Sequence, residues 1–113
     1  MYKVQLEQFE GPLDLLLYFI KRDELDIYDI PIAKITEDYM KTVQDLKEVN
    51  ISTAGEFIYM ASTLMRIKSK MLLPSFSQDD EDEMEDPRLP LVRQLLEYQR
   101  FKEAAHSLSS LSE

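Results

Sequence analysis

Glycine occurs only twice in these 113 residues, and five prolines supply the remaining strong breaks in the chain. So few turn-forming residues favour long helices with few connections over a many-stranded sheet. The length allows one small domain with an appendage rather than two independent cores. We therefore predict an all-α fold that consists of a small N-terminal bundle of about three helices, an acidic linker and one further amphipathic helix.

The apolar stretch after Gly11 predicts the central helix of that bundle. Pro12 suits the first helical position because the N–H group that proline lacks would be unpaired there. Asp14 lies in the first turn, where a carboxylate complements the helix dipole. The apolar residues that follow leave almost no polar face, so this helix should lie in the core. They are Leu13, Leu15, Leu16, Leu17, Phe19 and Ile20. Before them, the alternation of apolar and polar side chains over residues 2–6 indicates a short strand or an extended arm.

Two more helices are predicted before Pro74, which should end the second of them. One runs from residue 31 to about residue 46, with its apolar side chains on one side. The next runs from residue 53 to about residue 72. Its predicted start rests on Thr53 and Glu56, which have the spacing of a capping box.

The third predicted helix carries apolar side chains over about half of its circumference, at about 100° per residue. One edge has the four-three-four spacing of a coiled-coil seam. This 60/64/67/71 seam consists of Met60, Leu64, Ile67 and Met71. The other part of the arc carries Phe57, Ile58, Ala61, Met65 and Leu72. The pattern alone leaves two interpretations open: neighbouring helices clasp the whole arc, or the 60/64/67/71 seam faces a partner helix. Lys68 lies within the arc, where it either reaches the rim or pairs with a partner carboxylate.

The composition changes abruptly after the third helix. Seven of the eight residues from 79 to 86 are carboxylates, which repel one another and predict a solvated linker over residues 75–88. Calcium binding is the weaker interpretation, because the run lacks the glycine and the regular spacing of an EF-hand loop. A fourth amphipathic helix follows and runs to about residue 108. Because the linker separates it from the bundle, we predict that it has no core of its own and binds a partner.

Several classes of function are disfavoured by the composition. Acidic residues outnumber basic ones 22 to 13, for a net charge of −9, whereas DNA binding needs a basic stripe. Gly11 and Gly55 stand alone, so a glycine-rich phosphate loop is missing, and His106 has no nearby catalytic partner. We expect no enzymatic activity, no cofactor, no metal and no direct nucleic-acid partner. Cysteine is absent, and the sequence shows neither a signal peptide nor an apolar run long enough for a membrane span, which predicts a cytoplasmic protein without a membrane partner.

Four stretches resemble, in the correct order, the conserved blocks of the segregation and condensation protein A family, the bacterial kleisins. They are FEGPLDLLL at 9–17, LDIYDIPIAKIT at 25–36, LMRIKSKMLLP at 64–74, and 91–105 with its LLEY at 95–98. The resemblance implies a non-catalytic subunit of the condensin-like SMC complex, associated with the nucleoid, that acts in chromosome condensation and segregation. In this family the N-terminal domain packs its third helix on the coiled-coil neck of an SMC ATPase. The middle segment wraps a dimer of segregation and condensation protein B (ScpB), and a C-terminal winged-helix domain caps a second SMC head.

The resemblance implies the following division of the chain: an SMC-binding domain over 1–74, a linker over 75–88, and over 89–113 the first helix of the ScpB-binding segment. The winged helix is missing, which indicates a fragment. The resemblance also favours the outward position of the 60/64/67/71 seam. The predicted neck contacts are Met60, Leu64, Ile67, Lys68 and Met71. The predicted ScpB contacts are Leu91, Leu95, Tyr98 and Phe101.

Two alternatives from other classes fit a short helical chain. An unrelated helical adaptor satisfies the same physical pattern and differs only in lacking the four blocks. A helix-turn-helix regulator needs a basic recognition helix, and neither the second nor the third helix is basic enough along one face.

Overall fold

The computed structural model describes residues 9–44, 51–73 and 86–111, and for residues 51–54 and 109–111 it describes the backbone only. These parts of the chain form four helices and no strand: α1 (Pro12–Arg22), α2 (Ile32–Val43), α3 (Ile51–Leu72) and α4 (Leu89–Leu111). The all-α prediction is confirmed. The predicted strand or arm at 2–6 and the acidic run up to residue 85 lie outside the described residues.

Helix α1 is the centre of the bundle, as its apolar sequence predicts. Gly11 precedes it with a φ of 139°, a backbone conformation that favours glycine, and Pro12 occupies the start of the helix. The N–H of Leu15 donates to the carbonyl oxygen of Gly11 at 3.2 Å. One polar residue, Asp14, is buried together with the apolar side chains of this helix. Those apolar side chains are Leu15, Leu16, Leu17, Phe19 and Ile20. Because it is apolar on nearly every side, α1 contacts α2, α3 and α4.

Helices α2 and α3 share the largest helix–helix contact. The buried hydroxyl of Tyr39 donates to the carbonyl oxygen of Phe57 at 2.7 Å, and the two rings stack with centroids 6.5 Å apart. Burial raises the pKa of Tyr39 well above its ordinary value. Helix α3 begins at Ile51, so the prediction of Thr53 as its cap is wrong: Thr53 lies within the first helical turn, and a capping residue must precede that turn.

A network of four charged side chains joins the end of α1 to α2. Nη2 of Arg22 lies 2.9 Å from Oδ2 of Asp23 and 3.1 Å from Oδ2 of Asp38. Nζ of Lys34 lies 2.8 Å from Oδ2 of Asp23 and 3.2 Å from Oδ2 of Asp38. The hydrogen bond from Arg22, with a second from Lys34, holds the pKa of Asp23 well below its usual range. Because all four side chains remain partly exposed, the network orients the α1–α2 connection more than it stabilises the fold.

Helix α4 packs on α1 through its first two turns. Leu91, Val92 and Leu95 are buried, and the side chain of Leu95 is completely shielded from solvent. The prediction that this helix has no core is therefore wrong. The physical reason is that α2 and α3 leave part of the apolar surface of α1 uncovered, and the first turns of α4 complete its burial. Beyond that contact, the side chains from 101 to 108 are all exposed.

Polar contacts fasten α4 at both ends of its buried part. At its start, the Arg88 guanidinium lies 2.8 Å from Asp29 and 2.7 Å from Asp86, and it donates to the carbonyl oxygen of Ile30 at 2.6 Å. Farther along α4, Lys102 forms an ion pair with the almost fully buried Asp14 of α1. Apart from the Arg88–Asp86 pair, these contacts join residues that are far apart in the chain, so no local sequence pattern indicates them.

We expect Lys102→Met to loosen α4 from α1 without unfolding α1, α2 and α3. Among the described residues, the change leaves the buried carboxylate of Asp14 with a backbone partner only, the N–H of Glu10 at 3.2 Å. Breaking a partly buried charged pair costs about 1–3 kcal/mol, so hydrogen exchange of the α4 amides should accelerate about fivefold or more. Arg100→Met is the matched control, because Arg100 is exposed and makes no ion pair within the described part of the chain. Equal exchange rates in the two variants would contradict a fastening role for Lys102.

Candidate functional site

The 60/64/67/71 seam lies inside the bundle. Leu64 is 0% exposed, Met60 and Ile67 are also buried, and Met71 is partly buried against the same core. The prediction that this seam faces solvent is therefore wrong. Helix α3 packs on both α1 and α2, and two supporting helices cover a wider arc than one does. A helical wheel shows the apolar arc of α3, but it cannot tell which edge of that arc packs on α1 and α2 and which edge stays exposed.

The opposite face of α3 carries a second seam, which we call the outer seam. It consists of Ile58, Ser62, Met65, Ser69 and Leu72. Their spacing of four, three, four and three residues is that of a coiled coil, and all five are exposed. Met65 and Leu72 are 54% and 70% exposed. At about 100° per residue, the outer seam lies roughly half a turn from the 60/64/67/71 seam.

Basic and apolar side chains border the outer seam. Arg66 on one side is exposed, whereas Lys68 on the other side is half-buried. A groove of about 400 Å³ runs between α2 and α3 beside the seam, with Met40, Met65 and Leu72 among its apolar lining residues. A helix laid on this face would therefore meet an apolar line with a positive charge on each side.

A second groove of about 640 Å³ lies where the start of α1 meets α3 and α4. Its lining includes Glu10, Glu56, Tyr59 and Tyr98. The hydroxyl of Tyr98 donates to the Glu10 carboxylate at 3.4 Å. Partial burial, together with the nearby carboxylates of Asp14 and Glu10, raises the pKa of Tyr98 to about 12. Through this hydrogen bond, Tyr98 contributes to the contact between α4 and the start of α1.

The four residues predicted to contact ScpB separate into two groups. Leu91 and Leu95 are buried, and Tyr98 is half-buried in the contact just described. Phe101, in contrast, is 66% exposed. Of the predicted set, Phe101 is thus the one large apolar side chain that the folded chain presents to solvent.

Within residues 9–44, 51–73 and 86–111, no three histidine or carboxylate side chains come close enough to hold a metal ion. His106 is exposed on α4. None of the helices in these ranges combines the length and the apolar character of a membrane span.

The sequence of the chain is similar to that of one protein family. A family model described as "Segregation and condensation protein ScpA" matches residues 19–113. Proteins named segregation and condensation protein A are similar over nearly the whole chain. That of Bacillus licheniformis is 49% identical, with 99% of this chain and 47% of the relative covered. That of Caldanaerobacter subterraneus is 50% identical (98% and 46% covered), and that of Halalkalibacterium halodurans is 52% identical (95% and 43% covered).

The chain thus spans about half the length of the curated relatives that it matches. The family model covers most of the chain, and each of these relatives is about half identical to it. The chain therefore belongs to the segregation and condensation protein A family.

Proposed function

We propose that this chain is a non-catalytic adaptor in chromosome condensation and segregation, and that it presents the outer seam of α3 to the coiled-coil neck of an SMC ATPase. One observation carries the proposal: a 22-residue helix supported by two others displays an exposed seam with coiled-coil spacing. Family membership supports the role in segregation and condensation. The neck as the partner follows from the resemblance in the sequence.

The outer seam suits a helical partner on physical grounds. Ile58, Met65 and Leu72 repeat every seven residues, so a straight partner helix can cover all three at once. Burial of each such side chain stabilises a complex by about 1.5–3 kcal/mol before the cost of association is subtracted. The two serines between them are small enough for the partner helix to approach closely.

This proposal revises the predicted neck contacts. Lys68 remains a contact because it borders the outer seam. Met60, Leu64 and Ile67 instead hold α3 against the other helices and act on binding only through the fold. The partly buried Met71 belongs with them.

Co-purification tests the proposal. The tagged chain is mixed with the head-and-neck fragment of the SMC protein from the same organism and passed over a size-exclusion column. We expect a stable complex, whereas an SMC hinge fragment, which lacks the neck, should elute separately. Failure to bind the head-and-neck fragment at micromolar concentrations would contradict the proposed function.

We also propose that the ScpB dimer contacts the distal half of α4 around Phe101. The supporting observation is that α4 continues past its apolar contact with α1 and exposes Phe101, with Leu108 also exposed seven residues later. Leu91 and Leu95 then stay on α1, and Tyr98 lies at the boundary between the intramolecular contact and the partner.

Phe101→Ala is expected to weaken ScpB binding by about 30-fold or more, because truncating an aromatic anchor at an interface typically costs about 2 kcal/mol or more. The melting temperature of the chain should not change, since Phe101 supports no core contact. Isothermal titration with the ScpB dimer measures the affinity. A loss of binding in Arg100→Ala but not in Phe101→Ala would place the contact elsewhere on α4.

A further inference from the structure

We propose that the neck helix that packs on the outer seam carries acidic residues on both sides of its own apolar seam, opposite Arg66 and Lys68. This inference rests on the proposed function and adds the charge pattern of the partner. In heptad notation, Ser62 and Ser69 occupy a positions, and Ile58, Met65 and Leu72 occupy d positions.

The heptad assignment places the two basic residues at the positions that select a partner. Arg66 follows a d residue and is an e position, and Lys68 precedes an a residue and is a g position. Charges at e and g form the ion pairs between the helices of a coiled coil and set the choice of partner. One cation borders the outer seam on each side, so carboxylates on both flanks of the other helix would pair with Arg66 and Lys68.

The two charges are not neutralised within the described part of the chain. Neither Arg66 nor Lys68 forms an ion pair there, and α3 carries no carboxylate from Phe57 to Leu72. Among the described residues that line the groove beside Lys68, the only carboxylate is Glu37, and it pairs with Lys41 at 3.4 Å. A partner carboxylate would therefore gain an attraction that no residue of this bundle already provides.

The same charges disfavour a second copy of this chain as the occupant. In a parallel pair, the g residue Lys68 of one chain would face the uncharged e residue Leu73 of the other and gain no attraction, and in an antiparallel pair identical cations would meet. Like charges at these positions are destabilising. Duplex DNA is also a poor fit, because the exposed apolar side chains of the seam separate Lys68 from Arg66 and Lys70, whereas phosphate binding needs a continuous basic surface. An acidic amphipathic helix satisfies both the apolar line and its borders.

Charge reversal tests the inference. Affinities for the SMC head-and-neck fragment are measured by isothermal titration for Arg66→Glu/Lys68→Glu and for Arg93→Glu/Arg100→Glu. The control pair changes the net charge equally, and both of its residues are exposed on α4, away from the outer seam. We expect the first variant to bind at least about tenfold more weakly, since each pair changes from attraction to repulsion. The control should bind within about twofold of the unmodified chain, and added salt should narrow the difference.

The outcomes separate this inference from the function on which it rests. If Met65→Glu abolishes binding while the Arg66/Lys68 reversal changes nothing, the acidic flanks are refuted and the neck contact stands. If neither variant affects binding, the outer seam is not the contact and both proposals fail. If Arg66→Glu/Lys68→Glu binds again when the acidic residues beside the neck seam are replaced by lysine, the result would support the inference directly. A salt-sensitive affinity of the unmodified chain for duplex DNA that the reversal removes would instead assign these cations to phosphate.

Discussion

Leu64→Glu is expected to unfold the helical domain, whereas Met65→Glu, one residue later, should leave the melting curve close to that of the unmodified chain. Leu64 is 0% exposed and Met65 is 54% exposed, although both are apolar residues at the middle of the same helix. The pair therefore tests which face of α3 packs in the core, because both variants replace an apolar residue by glutamate at neighbouring positions of the same helix.

The two variants should differ greatly in their free energy of unfolding. Replacing a buried leucine removes about 2–5 kcal/mol of packing and transfer free energy, and an unpaired carboxylate in the core costs several kcal/mol more. A small domain has a free energy of unfolding of about 5–15 kcal/mol in total. Met65→Glu buries nothing, so its effect should stay within about 0.5 kcal/mol.

Circular dichroism at 222 nm with thermal melting measures both variants. Leu16→Glu on α1, whose side chain is also completely buried, provides the reference for an unfolded domain. If Leu64→Glu melts cooperatively like the unmodified chain and Met65→Glu is unfolded, the assignment of the core face and the exposed face of α3 would be reversed.

Ile58→Glu/Met65→Glu is expected to abolish binding to the SMC neck while the domain stays folded. Both side chains are exposed in the free chain, so the change costs little stability. In the complex, each substitution removes an apolar anchor and places a carboxylate against the partner seam. Loss of two such anchors costs about 4 kcal/mol or more, on the order of a thousandfold in affinity.

Tyr28→Glu/Phe101→Glu is the matched control for this variant. It also converts two large exposed apolar residues to glutamate, on the connector between α1 and α2 and on α4. Pull-down by the SMC head-and-neck fragment should succeed for the control and fail for Ile58→Glu/Met65→Glu. If the control fails to bind while Ile58→Glu/Met65→Glu still binds, the neck contact does not lie on α3.

The sequence predicted the helices well because local signals define them. Gly11 and Pro12 mark the start of α1, and the uninterrupted apolar residues after them account for its central position. The third helix was also predicted to end near Leu72, as it does. Its start was predicted two residues late, because capping spacing occurs within helices as well as before them.

The positions of the helix faces could not be predicted in the same way. The apolar arc of α3 is wide enough for either edge to be core, and only the placement of α1 and α2 decides between them. The pattern of apolar residues did not predict the outer seam, because Ser62 and Ser69 occupy its a positions and are not apolar. The docking of α4 depends on Arg88 with Asp29 and on Lys102 with Asp14, pairs that are 59 and 88 residues apart in the chain.

Cysteine cross-linking tests whether the outer seam of α3 contacts the SMC neck. The chain contains no cysteine, so single variants report on one position each. Ser62→Cys and Ser69→Cys lie on the outer seam, and Ser107→Cys is an exposed control of the same chemistry on α4. Each is incubated with an SMC head-and-neck fragment that carries single cysteines along one neck helix, with a short bismaleimide. We expect cross-links from Ser62→Cys and Ser69→Cys to neck positions about one heptad apart and none from Ser107→Cys. Cross-links from Ser107→Cys alone, with both α3 variants unreacted, would contradict this contact.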